Sequence, residues 1–177
     1  QRLRRYQELI EKDKELCLGS YCFLWGQKQE STATWHGMFL SNGNPTEAVD
    51  VMQYCWTGKW PQSRAPSIKN ISLENIGWRK DHTLAPSTQA TLKIEYLKYN
   101  NEEIIVEYVL FPEAFSEKIG GDIQKSPDPI NLEIVEQSDN ELIFKSPEKK
   151  GAYRIFAFVK NKKNQSSVAN IPFLVEE

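Results

Sequence analysis

The sequence of 177 residues contains few of the side chains that usually form a metal or redox centre. It has three cysteines, two histidines and two methionines, and no Cys-x-x-Cys spacing occurs. A structural zinc site needs four such ligands close together, whereas His36 and His82 lie far apart in unrelated contexts. We therefore predict neither a metal nor another cofactor.

Charge of one sign and long apolar runs are also missing. The 22 basic and 24 acidic side chains give a formal net charge of -2, so no strongly basic surface is available for a phosphate backbone. No apolar run approaches the roughly 20 residues that span a bilayer. These absences predict no nucleic-acid partner and no membrane span. The 40% hydrophobic content instead indicates a folded domain.

The three cysteines leave two alternatives open. A disulfide between Cys17 and Cys22 and three separate thiols are both compatible with their positions. The apolar stretches around Cys17, Cys22 and Cys55 favour small buried thiols. The cysteine count does not decide the cellular compartment.

Tryptophan is distributed unevenly along the chain. All five tryptophans lie in the first 78 residues. Residues 60–66 contain two prolines and polar residues, which is typical of an ordered linker. We predict a boundary here, between a first region of residues 1–62 and a second region of residues 63–177.

The first region has the pattern of an α/β unit. Apolar spacing predicts an amphipathic helix over residues 2–16, and the aromatic run at residues 21–25 predicts a short strand covered on both faces. A polar loop at residues 27–34 follows. A second helix is predicted from Asn44 as the N-cap to Trp56, with Gly58 ending it.

The second region changes to strand periodicity. Alternation of apolar and polar residues predicts half-buried antiparallel strands, seven in all: residues 68–73, 90–99, 103–111, 130–135, 141–144, 153–160 and 167–175. Phe156 and Phe158 alternate with Tyr153, so one of these faces belongs to the core. We predict an α+β chain with a helix–strand–loop–helix segment followed by an immunoglobulin-like sandwich.

Two stretches carry a resemblance to known families. The run GSYCFLWGQKQE at residues 19–30, continuing to TWHGMF at residues 34–39, resembles the last strand and loop of a (β/α)8-barrel glycoside hydrolase of the large retaining clan. Residues 151–159 and 169–175 are similar to the closing strands of an immunoglobulin- or PKD-like module of bacterial carbohydrate enzymes. The chain is therefore expected to be the C-terminal part of a longer bacterial protein, secreted or periplasmic.

The resemblance also implies a role for the first region. Retaining glycosidases use two carboxylic acids about 5–5.5 Å apart, which in this clan follow the fourth and seventh barrel strands. Both strands would precede Gln1, so we expect no catalytic residue in this chain and no hydrolysis by the chain alone. Its partners would be a carbohydrate and the remainder of the barrel. The expected sugar-binding residues are Trp25, Gln27, Lys28, Glu30 and Trp35.

Plainer interpretations compete with this one. Trp25 and Trp35 would also serve as core aromatics, and the polar loop would also be solvated without binding anything. His36 is a weaker candidate, and calcium is disfavoured because the acidic residues of the second region lack a tight Asp-x-Asp-x-Asp spacing. As a second hypothesis, the chain is a non-catalytic carbohydrate-binding or protein-interaction module. As a third, its sandwich is only a spacer.

Overall fold

The computed structural model describes residues 2–34, 37–99, 101–114 and 124–177, and within them the chain is mostly β. Helix α1 (Arg2–Arg5) continues as a π-helical turn (Tyr6–Ile10), and α2 spans Glu47–Thr57. The strands are β1 (Ser67–Leu73), β2 (Ile76–Gly77), β3 (Thr83–Leu84), β4 (Gln89–Leu97), β5 (Ile104–Pro112), β6 (Glu133–Gln137), β7 (Glu141–Lys145), β8 (Gly151–Asn161) and β9 (Ser166–Val175).

The strands form two sheets that face each other across one core. Sheet A has the order β2-β1-β4-β7-β6, and sheet B has the order β3-β9-β8-β5. All described pairs are antiparallel except β3 with β9. The inward-facing side chains include Leu92 and Ile94 of sheet A and Ile155 and Val159 of sheet B. The molecule is a two-sheet, sandwich-like fold.

The seven predicted strands are confirmed. The pattern also separates the two faces of β8 correctly, because Tyr153, Ile155, Ala157 and Val159 all lie in the core. The prediction missed the two-residue strands β2 and β3, which are too short to show alternation. It placed β6 too early, since Ile130 forms only an isolated bridge to Leu110 and the strand begins at Glu133.

The first predicted helix is wrong in length. The helical conformation ends at Ile10, and Asp13 then accepts the backbone N–H of Leu16 on its side chain and that of Cys17 on its carbonyl oxygen. These bonds close one isolated turn at residues 14–16, which no further helical turn continues. Leu9 and Leu16 are also exposed, so no packed surface stabilises further helical turns.

The predicted strand at residues 21–25 does not form. No part of it pairs with another strand among the described residues, and Tyr21 is completely exposed where burial on both faces was expected. A strand needs a neighbouring strand to satisfy its backbone, and this segment lies outside both sheets. The helix–strand–loop–helix expectation is therefore corrected to two helical segments joined by irregular chain.

Helix α2 begins two residues later than predicted but ends where expected. Pro45 and Thr46 remain extended because they pair with the sandwich, with Ser166 donating its N–H to the Pro45 carbonyl at 2.9 Å. Thr46 is consequently the N-cap, accepting from Ala48 N at 3.3 Å. Gly58 ends the helix with a φ of 70°, the left-handed conformation that favours glycine.

The linker is fixed at both ends of residues 63–66. Asp50 of α2 accepts the buried Ala65 N–H at 2.7 Å, Gln165 donates to the Ser63 carbonyl at 3.0 Å, and Asn161 donates to that of Arg64 at 3.2 Å. The stretch is an ordered linker, as predicted. The linker thereby joins α2 to the β8–β9 end of sheet B.

Candidate functional site

The predicted polar loop is built by backbone hydrogen bonds. Gly26 accepts the N–H groups of Met38 and Phe39 at 3.0 and 3.2 Å, which closes the loop at its base, and Glu30 and Thr32 bond to each other across its tip. A Cβ on Gly37 would lie 2.9 Å from the Gly26 carbonyl oxygen, so only glycine fits this closure. The loop conformation is therefore set by the chain itself.

The loop residues predicted to bind sugar are placed differently from one another. Gln27 donates its side-chain amide to the Ala33 carbonyl at 3.1 Å and faces the sandwich. Lys28 and Glu30 form an ion pair at 2.5 Å and are each about two-thirds shielded from solvent. Gln27 therefore lies at the contact with sheet B, whereas Lys28 and Glu30 hold each other.

Trp25 lies on the surface beside α2. Its ring stacks on Trp56 with centroids 6.4 Å apart and meets Phe39 edge-on at 5.5 Å, while 62% of the residue is exposed. It is neither a core residue nor a neighbour of the cleft described below. Trp35 and His36 lie outside the described residues, as does Asp122.

A cleft of about 210 Å³ lies between this loop and the outer face of sheet B. One wall is the loop with its two glutamines, Gln27 and Gln29, and the floor is formed by Phe111 and Phe156. Gln29 is only 8% exposed, and its Oε1 accepts a hydrogen bond from Ser126 at 3.0 Å. The remaining lining is Ser31, Thr32, Ala33, Ser41, Pro112, Ala114, Pro127 and Arg154.

Arg154 is held rigidly at the edge of the cleft. Its Nε and Nη2 donate to the Glu113 carboxylate at 2.8–3.1 Å, and its Nη1 donates to Asn170 at 2.5 Å. Both partners of this ion pair are more than three-quarters shielded. A bidentate pair of this kind fixes the guanidinium geometrically and neutralises its charge.

A second, wider groove runs between α2 and the entry into the sandwich. The Arg64 guanidinium lies between the rings of Trp60 and Tyr99, 3.6 and 3.5 Å from their centroids, and Trp60 also stacks on Tyr54 at 4.4 Å. Both neighbours of Trp60 are protein groups, so this stack fastens the linker. Trp78, at the other side of the groove, is about half exposed.

The described residues contain no cluster of three or more His, Cys, Asp or Glu side chains that could hold a metal ion. Two of the acidic residues considered for calcium form ion pairs instead, Glu103 with Lys162 and Glu102 with Lys163. All three cysteines are free thiols and only partly buried, which removes the disulfide alternative. Burial raises the pKa of Cys22 and of Cys55, so neither thiol is activated as a nucleophile.

The cleft residues that the sequence did not single out include Ser126 and Arg154, whereas Gln29 belongs to the predicted polar loop. Strand alternation placed Phe156 on the face opposite Tyr153 without showing what covers that face. Ser126 and Gln29 are 97 positions apart, and no spacing rule connects such residues.

Helices long and apolar enough to cross a membrane are absent from the described ranges.

Comparisons with known proteins give only distant structural likenesses. No protein-family model and no curated protein match the chain. The methionine-rich copper resistance protein PcoC from Escherichia coli superposes with a TM-score of 0.36 at 13% identity, covering 63% of this chain and 99% of PcoC. A DUF4784 family protein from Bacteroides caccae gives 0.34 at 16% identity, covering 62% of this chain and 24% of that one. At these scores neither likeness carries a functional argument.

Proposed function

We propose that this chain is the C-terminal part of a glycoside hydrolase-like protein, in which residues 1–62 complete a barrel and residues 63–177 form an immunoglobulin-like accessory domain. The chain contributes carbohydrate contacts, and the two catalytic carboxylic acids belong to the rest of the barrel. Trp25, Gln27, Lys28, Glu30 and Trp35 are the proposed contacts. The proposal joins the resemblance of residues 19–39 to one structural observation.

That observation is the exposed apolar surface of residues 16–25. Leu16 and Leu18 are almost completely exposed, as is Tyr21, and Trp25 is more than half exposed. Each fully buried side chain of this size contributes about 1.5–3 kcal/mol, so a cluster of them in water is costly. Contiguous exposed apolar surface marks an interaction site. A covering strand and helix of a barrel would supply what this segment lacks.

The immunoglobulin-like assignment is supported by strand order. When β2 and β3 are set aside, sheet A reads β1-β4-β7-β6 and sheet B reads β9-β8-β5. In chain order these are strands A, B, E and D on one sheet and G, F and C on the other. The constant-type immunoglobulin sandwich has the same arrangement.

Hydrogen–deuterium exchange tests the proposed barrel role. A longer protein that begins upstream of Gln1 is compared with the present chain. We expect the amides of residues 16–25 to exchange much more slowly in the longer protein, because a neighbouring strand would protect them. Residues of β8 serve as the internal control and should be equally protected in both. Equal exchange of residues 16–25 in the two proteins would refute the proposal.

The second hypothesis, a self-contained binding module, is favoured by a different observation. The first region already contacts the second through the Pro45–Ser166 and Gln29–Ser126 hydrogen bonds. A module of this kind would bind soluble glucans, mannans or galactans without the rest of a barrel. Titration of the chain with each polysaccharide, followed by tryptophan fluorescence, tests it. No response to any of them would count against this hypothesis.

A further inference from the structure

The cleft between the loop and sheet B has the features of a binding site and not those of a packing defect. Empty cavities inside proteins are apolar, and they stay dry. This cleft has a volume of about 210 Å³ and is lined by amides and hydroxyls as well as aromatic rings. Its position between two packed regions of the chain is also where ligand sites are most often found.

The walls of the cleft are preformed. Its floor belongs to the long β5–β8 ladder, in which Phe111 pairs with Arg154. Two hydrogen bonds join its loop wall to residues 124–126. The Ser126 hydroxyl donates to Gln29 Oε1 at 3.0 Å, and the Ser31 N–H donates to Gln124 Oε1 at 2.8 Å. A ligand entering it would not have to order these groups, which lowers the entropic cost of binding.

The charges around the cleft select an uncharged ligand. Among the lining residues that the structure describes, Arg154 is the one charged side chain, and Glu113 already neutralises it. This described part of the lining therefore offers an anion no unpaired cation and offers a cation no unpaired carboxylate. The polar groups that remain are neutral donors and acceptors, supplied by Gln27, Gln29, Ser31, Thr32, Ser41 and Ser126.

The combination of groups matches one ring of a sugar. Neutral amides and hydroxyls both donate and accept hydrogen bonds, as sugar hydroxyls do, and the Phe111 and Phe156 rings with Pro112 and Pro127 offer apolar contact to C–H groups. The volume is below the roughly 300–1,000 Å³ of sites for larger ligands. The size therefore suits a single ring and not an extended chain.

We propose that this cleft is a carbohydrate subsite that binds one neutral monosaccharide unit, formed jointly by the loop at residues 27–33 and the sandwich. The ligand class rests on the proposed carbohydrate function, whereas the site itself is distinct from the surface around Trp25. The sandwich then contributes directly to sugar binding. A spacer would not.

Binding is measured on the present chain by NMR, using the side-chain amide signals of Gln27 and Gln29. The probes are D-glucose, D-mannose, D-galactose and N-acetylglucosamine, each titrated separately, with glucuronate and inorganic phosphate as anionic probes. For a ligand of this size we expect a Kd on the order of millimolar for at least one neutral sugar. The anions should bind more weakly.

Substitutions in the lining and one control outside it locate the binding. Ala33→Phe fills the cleft and should abolish the shifts, and Ser126→Ala removes one hydroxyl and should weaken binding roughly threefold to tenfold. If Ala33→Phe does not fold, Thr32→Val provides a second change in the lining with little change in volume. Trp78→Ala is the matched control outside the cleft and should leave the Kd unchanged.

The outcomes are distinguishable from those of the barrel test. If no neutral sugar shifts the two amide signals, or if the shifts persist in Ala33→Phe, the subsite proposal is overturned. Tighter binding of phosphate than of any sugar overturns it as well. Protection of residues 16–25 in a longer protein would then still support the barrel role, because that measurement does not involve the cleft.

Discussion

The sandwich and the segment before it differ in where their apolar residues lie. In the sandwich, the inward-facing apolar positions of β4, β7 and β8, such as Leu92, Leu142 and Ile155, are buried between two sheets. At residues 16–25, equally apolar side chains are in contact with solvent. An apolar pattern therefore forms a strand only where the same chain also supplies a hydrogen-bonded neighbouring strand.

The sandwich meets this condition within itself. Each of its long strands has a hydrogen-bonded neighbour in the described part of the chain, and the two sheets cover each other. The aromatic run at residues 21–25 has neither a neighbouring strand nor a covering face. Its composition predicts the same kind of element, but the contacts that would form it are not within reach.

The largest test of this comparison replaces one leucine in each region. Leu92 is completely buried in β4, and Leu18 is completely exposed. We expect Leu92→Ala to lower the free energy of unfolding by about 2–5 kcal/mol, because a cavity remains. Leu18→Ala should change it by less than about 0.5 kcal/mol. Urea unfolding measures both, and equal losses would show that residues 16–25 are packed in solution.

The next test concerns the junction between the two regions. Asp50→Ala leaves the buried Ala65 N–H without an acceptor, so we expect a loss of about 1–3 kcal/mol. Asp50→Asn keeps an acceptor oxygen and is the matched control, with a smaller loss expected. Thermal unfolding together with amide exchange at Ala65 checks this. If Asp50→Ala lost no more stability than Asp50→Asn, the junction would not be held by this hydrogen bond.

A smaller effect is expected at the end of α2. Gly58 has a φ of 70°, where a Cβ costs roughly 1–2 kcal/mol. Gly58→Ala should therefore destabilise the protein by about that amount. Gly77→Ala, at a position with ordinary φ and open space around it, is the control. Chemical unfolding measures the stability of both variants. Equal losses would contradict the left-handed conformation assigned to Gly58.

The comparison also explains how much of the molecule could be predicted. The seven main strands and the division of β8 into two faces were readable because alternation is a local property of the sequence. The end of α2 at Gly58 was readable for the same reason. The cleft was not readable, because Gln29 meets Ser126, and Phe156 lies beside the loop, only after the loop at residues 27–33 packs beside sheet B. Gln27 was predicted for its loop position and does line the cleft.

The smallest test uses one buried titratable group from each region. Burial lowers the pKa of His82 in the sandwich below 6.5, although a backbone hydrogen bond with Gly77 and the Asp81 charge oppose this. Burial raises the pKa of Asp50, in α2, above 3.8, although the Ala65 N–H and the Arg64 charge oppose this. The two groups therefore make opposite contributions to the pH dependence of stability.

The signs follow from which state binds more protons. Between the folded pKa of His82 and 6.5, the unfolded chain binds more, so stability falls as the pH is lowered through this range. Between 3.8 and the folded pKa of Asp50, the folded chain binds more, so stability falls as the pH rises. Urea unfolding across pH 3–7 should show the first slope weakened in His82→Gln and the second weakened in Asp50→Asn. If His82→Gln kept the full pH dependence of stability below pH 6.5, the imidazole would not be buried in its neutral form. The sandwich would then be less tightly packed at β3 than in its core at β4 and β8.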